Sequence, residues 1–313
     1  MAQLLDDVLV WQANFQGRDL VAYMKFHTEI PIFIVCFYLG LVFHGPEVMR
    51  SRPPMQLKAA FTLWNLLLSV FSIIGCYYTA PVFLRSVFGK GFYFSVCADP
   101  SDFYFDGASG FWVGLFILSK IPELVDTFFL VAQKKDVIFL HWFHHCTVML
   151  YCWHAYTHKI GAGLWFASMN YFVHSLMYTY YFMQNVSFLK NFARRFARII
   201  TTLQLVQMVF GLIVTISVVV YLNQGVPCAA NPANSKLGLG MYLSYFVLFA
   251  ALYKRLYGKG GRKAAIGSAG HGGSGGAGHS GSASDASAGG EGICNAADDV
   301  MATLNTGNGK KLK

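Results

Sequence analysis

The sequence predicts an all-α membrane protein with seven transmembrane helices, on three observations. First, 55% of the 313 residues are hydrophobic and only 12% are charged, with a mean hydropathy of +0.44. A soluble domain carries about a quarter charged residues, and a surface this poor in charge aggregates in water. Second, the apolar residues form continuous runs, not the alternating pattern of barrel strands. Third, Lys and Arg gather in short clusters between those runs. They do not line one amphipathic face, so the net charge of +9 points to membrane topology and not to nucleic acid.

The runs cover 30–44, 59–84, 111–132, 137–153, 161–183, 199–222 and 237–253. A bilayer core takes about 20 helical residues; the first run is the shortest and has Pro31 at its start. Arg50, Arg52 and Lys58 follow run one, Lys134 and Lys135 follow run three, and Lys190, Arg194, Arg195 and Arg198 follow run five. Lys254, Arg255, Lys259, Arg262 and Lys263 follow run seven. The opposite loops carry only Arg85 and Lys90, Lys159, and Lys236. The more basic side faces the cytosol, so the C-terminus is expected there and the N-terminus in the lumen.

Residues 1–29 are expected to be a luminal segment. Asp6, Asp7 and Arg18 interrupt the apolar stretch that a secretory signal requires. Residues 30–257 form the helical domain. Residues 258–313 hold sixteen of the thirty-one glycines, with Ala and Ser. Such a tail buries too little apolar surface to offset its backbone entropy and is expected to be disordered in the cytosol. Its two histidines, His271 and His279, are isolated and read as solvated. Its end, Lys310-Lys311-Leu312-Lys313, matches a dilysine signal for retrieval to the endoplasmic reticulum. Cys36, Cys76, Cys146 and Cys152 fall inside runs and read as packing residues. Cys97 and Cys228 fall in luminal loops, where an oxidising environment predicts a disulfide; Cys294 in the tail is expected to stay reduced.

Run three carries Lys120, Glu123, Asp126 and Thr127 on one helical stripe. A Lys–Glu pair snorkelling to the surface is the bland alternative. Three charges at membrane depth are costly and point instead to a wet cavity. Run four opens with His141, His144 and His145, spaced i, i+3, i+4. Packing accounts for one buried imidazole and not for three on one face. Such a cluster serves metal ligation or acid–base and nucleophilic catalysis. Membrane di-iron oxygenases carry about eight histidines in three boxes, whereas only one box is present here. His154 and His158 are four apart, but roughly 20 Å from His141 along the helix. Run five contributes Asn170, His174, Met177, Tyr178, Tyr180 and Tyr181, and run six contributes Thr201, Gln204 and Gln207. Aromatic helix packing accounts for some of these tyrosines. Together the four runs aim polar groups at one cytosol-facing cavity, polar at its mouth and apolar beyond, which suits an acyl-CoA.

These residues resemble the ELO family of very-long-chain fatty-acid elongases. Lys120-Ile-Pro-Glu123-Leu-Val-Asp126-Thr127 matches KxxExxDT, and His141-Trp-Phe-His144-His145 matches HxxHH. The stretch from Asn170 through His174, Met177 and Tyr178 to Tyr181 matches NxxxHxxMYxYY, and Thr201 to Gln207 matches TxxQxxQ. The resemblance covers about residues 25–257 and excludes the tail. It implies seven helices, six of them ringed around an acyl tunnel, and a very-long-chain 3-oxoacyl-CoA synthase of the endoplasmic reticulum membrane. Acyl-CoA and malonyl-CoA would give 3-ketoacyl-CoA, CoA and carbon dioxide. Decarboxylation drives the reaction, so no metal or redox cofactor is expected. The implied partners are both CoA substrates, membrane lipid, and the ketoreductase, dehydratase and enoyl reductase of the cycle.

The resemblance further points to a ping-pong route, for which His144 is the expected nucleophile, although spacing does not rank the three box imidazoles. His141 and His145 would orient it or move protons, with Asp126 or Glu123 fixing a tautomer. His174 and Asn170 would hold the malonyl thioester or its enolate. Lys120, Tyr178, Tyr181, Gln204 and Gln207 are expected to bind substrate. A one-step ternary mechanism, with the cluster as general base, is the alternative. A seven-helix receptor or transporter does not predict the four motifs.

Overall fold

The computed structural model describes residues 2–258, and among them there is no strand. The Gly-rich tail, with its dilysine end, His271, His279 and Cys294, lies outside the described residues.

Two helices, α1 (Ala2–Ala13) and α2 (Gly17–Phe26), precede the first apolar run. The sequence reading assigned no structure there. Helix α3 (Glu29–Val48) is longer than run one: it continues past His44 through Pro46 to Val48, and Pro31 sits in its first turn, where a missing N–H breaks no intrahelical bond. Helix α4 (Lys58–Leu84) continues into a π-helical turn, Arg85–Gly89, and is followed by the short α5 (Phe92–Cys97).

Run three is not one helix. It divides into α6 (Gly107–Ser119), a tight turn at Pro122–Leu124, and α7 (Val125–Ala132). Pro122 has no N–H and its ring crowds the carbonyl of residue 118. The chain responds by tightening: Ile121 N–H donates to Leu118 O at 3.1 Å, the i→i−3 pattern. Helices α8 (Phe139–Thr157), α9 (Gly163–Asn185), the short α10 (Lys190–Arg194), α11 (Ala197–Asn223) and α12 (Pro232–Tyr257) complete the described chain.

Each apolar run is therefore helical. Four helical stretches, Glu29–Val48, Lys58–Gly89, Ala197–Asn223 and Pro232–Tyr257, are long and apolar enough to cross a membrane. Helices α8 and α9 have the length, but their His, Asn and Tyr side chains lower their hydropathy. Large apolar side chains such as Phe33, Phe37 and Tyr77 point outward. A lipid-facing surface accounts for so much exposed apolar area.

Helix α9 packs along α4, and α11 along α12. Small residues set these approaches: a Cβ at Gly75 would run into the Tyr171 ring, and one at Gly211 into the Tyr242 ring. The bundle has two distinct ends. Helix α8 begins with the histidine box at one end and finishes at Thr157 at the other. At that far end Cys97 and Cys228 are joined in the expected disulfide. Beside it Ala229 N–H donates to Cys97 O at 2.8 Å, and Gly161 N–H to Ala229 O at 2.7 Å.

Candidate active site

A cavity of about 140 Å³ opens at the histidine-box end. Asp126, His141, His144, His145, Asn170, His174, Tyr178, Tyr181, Gln204 and Gln207 all line it. Helix periodicity explains how each helix presents its share: positions i, i+3 and i+4 face one way. A narrower cavity of about 50 Å³ shares His144, Asn170, Gln207 and Met208 with the first. It continues between Val113, Phe116, Val148 and Phe166 to Tyr104, Phe105, Tyr156 and Lys159. From His144 to Tyr156, α8 rises roughly 18 Å. The two spaces adjoin at His144 and Asn170, the first carrying the polar groups of the histidine-box end and the second largely apolar.

The three box imidazoles fan out, because i+3 and i+4 straddle i. The His141 and His145 ring centroids are 4.5 Å apart, and those of His144 and His145 are 5.4 Å apart. His141 Nε2 lies 2.8 Å from Thr127 Oγ1, which is itself 2.8 Å from Tyr38 Oη. His144 turns toward α12, 4.9 Å from the Tyr245 ring, and its side chain has no protein hydrogen-bond partner among the described residues. Tyr245 Oη holds the helix there, bonding Thr147 Oγ1 at 2.6 Å and donating to His144 O at 3.2 Å. His145 Nδ1 is buried with no partner among the described residues.

Lys120 and Glu123 do not line the cavity. Both are nearly fully buried, with Nζ donating to Glu123 Oε1 at 2.6 Å. The Pro122 break lets α6 and α7 meet at this pair. Lys120 also donates to Asn170 Oδ1 at 3.1 Å, and Asn170 Nδ2 is 3.0 Å from His174 Nε2. A lysine ammonium only donates, so it fixes Asn170 with its oxygen toward Lys120 and its NH2 toward His174. His174 Nε2 is then the acceptor, and the ring proton sits on Nδ1. Lys120 and Glu123 thus act behind Asn170, on His174.

The expectation that Asp126 or Glu123 fixes a box tautomer is not met. Neither carboxylate touches an imidazole; Thr127 holds His141 instead. Asp126 accepts from Trp64 Nε1 at 2.6 Å and from Tyr178 Oη at 2.9 Å, so both its oxygens are engaged. Gln204 Nε2 donates to Met177 Sδ at 3.2 Å. In the turn between α7 and α8, Lys135 Nζ lies 5.5 Å from the centroid of Phe61, which lines the cavity. Burial pushes its ammonium down to about 8.

Sequence reasoning missed Tyr38, Trp64, Asn65 and Tyr245. Asn65, a buried amide midway along an apolar helix, was the findable one, since such groups are costly in a membrane. Tyr38, Trp64 and Tyr245 are single aromatic residues in aromatic-rich helices and carry no periodic signal.

Residues 23–265 match the family model ELO: GNS1/SUR4 family. The chain is 46% identical to fatty acid elongase 3 of Trypanosoma cruzi over 277 residues, covering 81% of this chain and 92% of that protein. It is 44% identical to a very long chain fatty acid elongase 4 of the same organism, over 78% of this chain and 85% of that one. It is 42% identical to very long chain fatty acid elongase 6 of Drosophila melanogaster, over 74% of each chain. Four motifs brought to one cavity, a matching model over most of the chain and these identities lead to one statement: the chain belongs to the ELO, or GNS1/SUR4, family.

Proposed function

We propose that this protein is a fatty-acid elongase of the endoplasmic reticulum membrane, condensing a long acyl-CoA with malonyl-CoA to 3-ketoacyl-CoA, CoA and carbon dioxide. The observation that carries this reading is the pair of adjoining cavities that share His144, with polar groups on one side of it and a largely apolar lining on the other. A CoA thioester is polar at one end and apolar at the other, and a chain lying across the two cavities puts its carbonyl at His144. All seven helical runs would cross the bilayer, six of them around these cavities, with the histidine-box end and the C-terminus in the cytosol and the disulfide end in the lumen. The oxidising lumen suits the Cys97–Cys228 bond. The reductase and dehydratase activities that complete a cycle would be neighbours in the same membrane.

The chemistry follows from how the imidazoles are held. Thr127 occupies His141 Nε2 and Asn170 occupies His174 Nε2, while His144 lines both spaces and keeps its ring nitrogens for substrate. A ring nitrogen of His144 attacks the thioester carbonyl. A new C–N bond forms, the C–S bond breaks, and CoA leaves as the thiol after taking a proton. Malonyl-CoA then loses carbon dioxide, and the resulting enolate carbon attacks the acyl group as the C–N bond breaks and the departing His144 ring takes up one proton from solvent. His174 Nδ1–H is a donor for the enolate oxygen, held in that tautomer by the Lys120–Asn170 chain.

The test is incubation of the purified protein with a long acyl-CoA and labelled malonyl-CoA. A labelled 3-ketoacyl-CoA is expected without added metal. No product, or strong chelator inhibition reversed by iron, would sink the reading. With acyl-CoA alone, free CoA and an acyl adduct by intact mass are expected. If neither appears until malonyl-CoA is added, the one-step ternary mechanism replaces the covalent one.

A further inference from the structure

A loop lines the far end of the apolar cavity, and that loop is held by the N-terminal helices. Tyr104 and Phe105 line that end with Tyr156 and Lys159, and both are almost fully buried. The Phe105 ring stacks on Tyr156, with centroids 5.3 Å apart and planes at 29°. Lys159 Nζ lies 5.0 Å from the same ring. Residues 98–106 contain only one short helical turn, Pro100–Asp102, so local structure alone does not fix Phe105.

What fixes it is the N-terminal strap of α1 and α2. Gly17 N–H donates to Asp106 Oδ1 at 2.8 Å, and Gly107 N–H donates to Phe15 O at 2.9 Å. Gly17 lies directly against Phe105: a Cβ there would stand 2.5 Å from Phe105 O and 2.6 Å from Cδ1. The strap is itself anchored in three helices. Gln12 bonds Tyr78 Oη on α4 and Trp112 Nε1 on α6, each at 3.1 Å, and Trp153 Nε1 on α8 donates to Met24 O at 3.0 Å. Gln12 and Met24 are buried, so the strap is built into the structure and does not lie loosely on it.

We propose that this strap presses Phe105 into place as the floor of the acyl channel, which makes Phe105 and, through it, Gly17 specificity-determining residues for acyl chain length. The proposal rests on the acyl-CoA reading above. Phe105 is where the ω-end of a long chain arrives. Gly17 touches no substrate and acts by position: only a residue without a side chain lets the strap close on the floor.

The experiment uses the full chain and saturated acyl-CoAs of graded length, with the ratio of kcat/KM for the longest to the shortest as the readout. One methylene in an apolar pocket is worth about tenfold or more in such a ratio. Phe105→Ala is expected to raise it by about tenfold or more. Gly17→Ala, whose methyl meets the Phe105 carbonyl, is expected to shift it from wild type by severalfold. Phe105→Trp, which fills the floor, is expected to lower it. A merely structural role would scale all lengths together and leave the ratio flat. If Phe105→Ala does not fold, Phe105→Leu and Phe105→Trp read the same floor. A second arm records the thermal shift given by each acyl-CoA without malonyl-CoA. If wild type binds long acyl-CoAs but condenses none, the reaction assignment fails while the floor is still tested by binding. Flat ratios in both arms across the folded variants overturn the proposal, as does a wild type that binds no acyl-CoA.

Discussion

The two ends of the bundle are held by different means. At the disulfide end the ties include a covalent one, Cys97 to Cys228, bonds to backbone oxygens, from Tyr104 Oη to Ile160 O at 2.7 Å and from Trp153 Nε1 to Met24 O at 3.0 Å, and side-chain pairs such as Trp165 with Ser95 and Asn234 with His154. At the histidine-box end no covalent tie is present among the described residues, and carboxylates, an ammonium and imidazoles take part: Trp64 and Tyr178 to Asp126, Thr127 to His141, Lys120 to Glu123 and Asn170. The disulfide and its neighbouring ties hold the one end around a largely apolar space. Side-chain ties at the other leave imidazoles and an amide facing an open cavity. The difference teaches where rigidity and where chemistry are located: one end fixes the shape of the apolar cavity, and the other keeps groups whose protons can move.

The largest expected effect breaks the chemical end alone. His144→Ala should lower condensation by on the order of 10³-fold or more. It should also abolish CoA release and the acyl adduct with acyl-CoA alone, while the protein keeps its melting temperature. An adduct that forms and maps to His141, His145 or Cys146 would keep the ping-pong order and move the nucleophile.

The next breaks the closed end. Cys97→Ser should cost about 2–5 kcal/mol of stability, since the bond joins segments 131 residues apart. The kcat of protein that remains folded should change little. Non-reducing peptide mapping of wild type should recover the linked pair; two free thiols there would remove the contrast between the ends.

Thr127→Val sharpens the comparison, because it frees His141 Nε2 and leaves Tyr38 Oη unpaired without removing an imidazole. A buried group left unpaired costs about 1–3 kcal/mol of stability, and loss of the contact that orients His141 should separately lower kcat by roughly tenfold. Tyr38→Phe, which leaves the Thr127–His141 contact in place, should cost less. Equal losses in the two variants would argue against a relay that orients His141.

The orientation of the two ends is testable at Asn185, the first residue of an Asn-Val-Ser sequon at the end of α9. If the histidine-box end faces the cytosol, Asn185 carries no glycan. A mobility shift on deglycosylation, absent in Asn185→Gln, would invert the assignment. The smallest effect lies at Lys135. Its folded-state value, pushed from 10.5 to about 8, means that the unfolded chain binds more protons between those pH values. Stability should therefore rise with pH across that window, and the rise should flatten in Lys135→Met.

Much of this was legible before any coordinates. The periodicity of runs three to six places Asp126, the three box histidines, Asn170 with His174, and Gln204 with Gln207 on common faces, and the cavity gathers all of these residues. The helical character of every apolar run was equally legible. What could not be read depended on partners distant in sequence. Tyr38 reaches Thr127 across 89 residues, Trp64 reaches Asp126 across 62, and Tyr245 reaches Thr147 across 98. Nor could spacing separate three imidazoles on one helix.

The sequence by itself determined the elements and their polar stripes, because hydropathy and the 3.6-residue repeat are local properties of the chain. Only the tertiary structure decided that a threonine and not a carboxylate holds His141, that Lys120 and Glu123 act behind Asn170, that His144 alone of the box lines both spaces, and that residues 2–26 fold back to fasten Phe105. Each of these depends on which face of one helix meets which face of another. That choice is set by packing among small and large side chains across the bundle, as at Gly75 against Tyr171 and Gly17 against Phe105, and no window along the chain contains it.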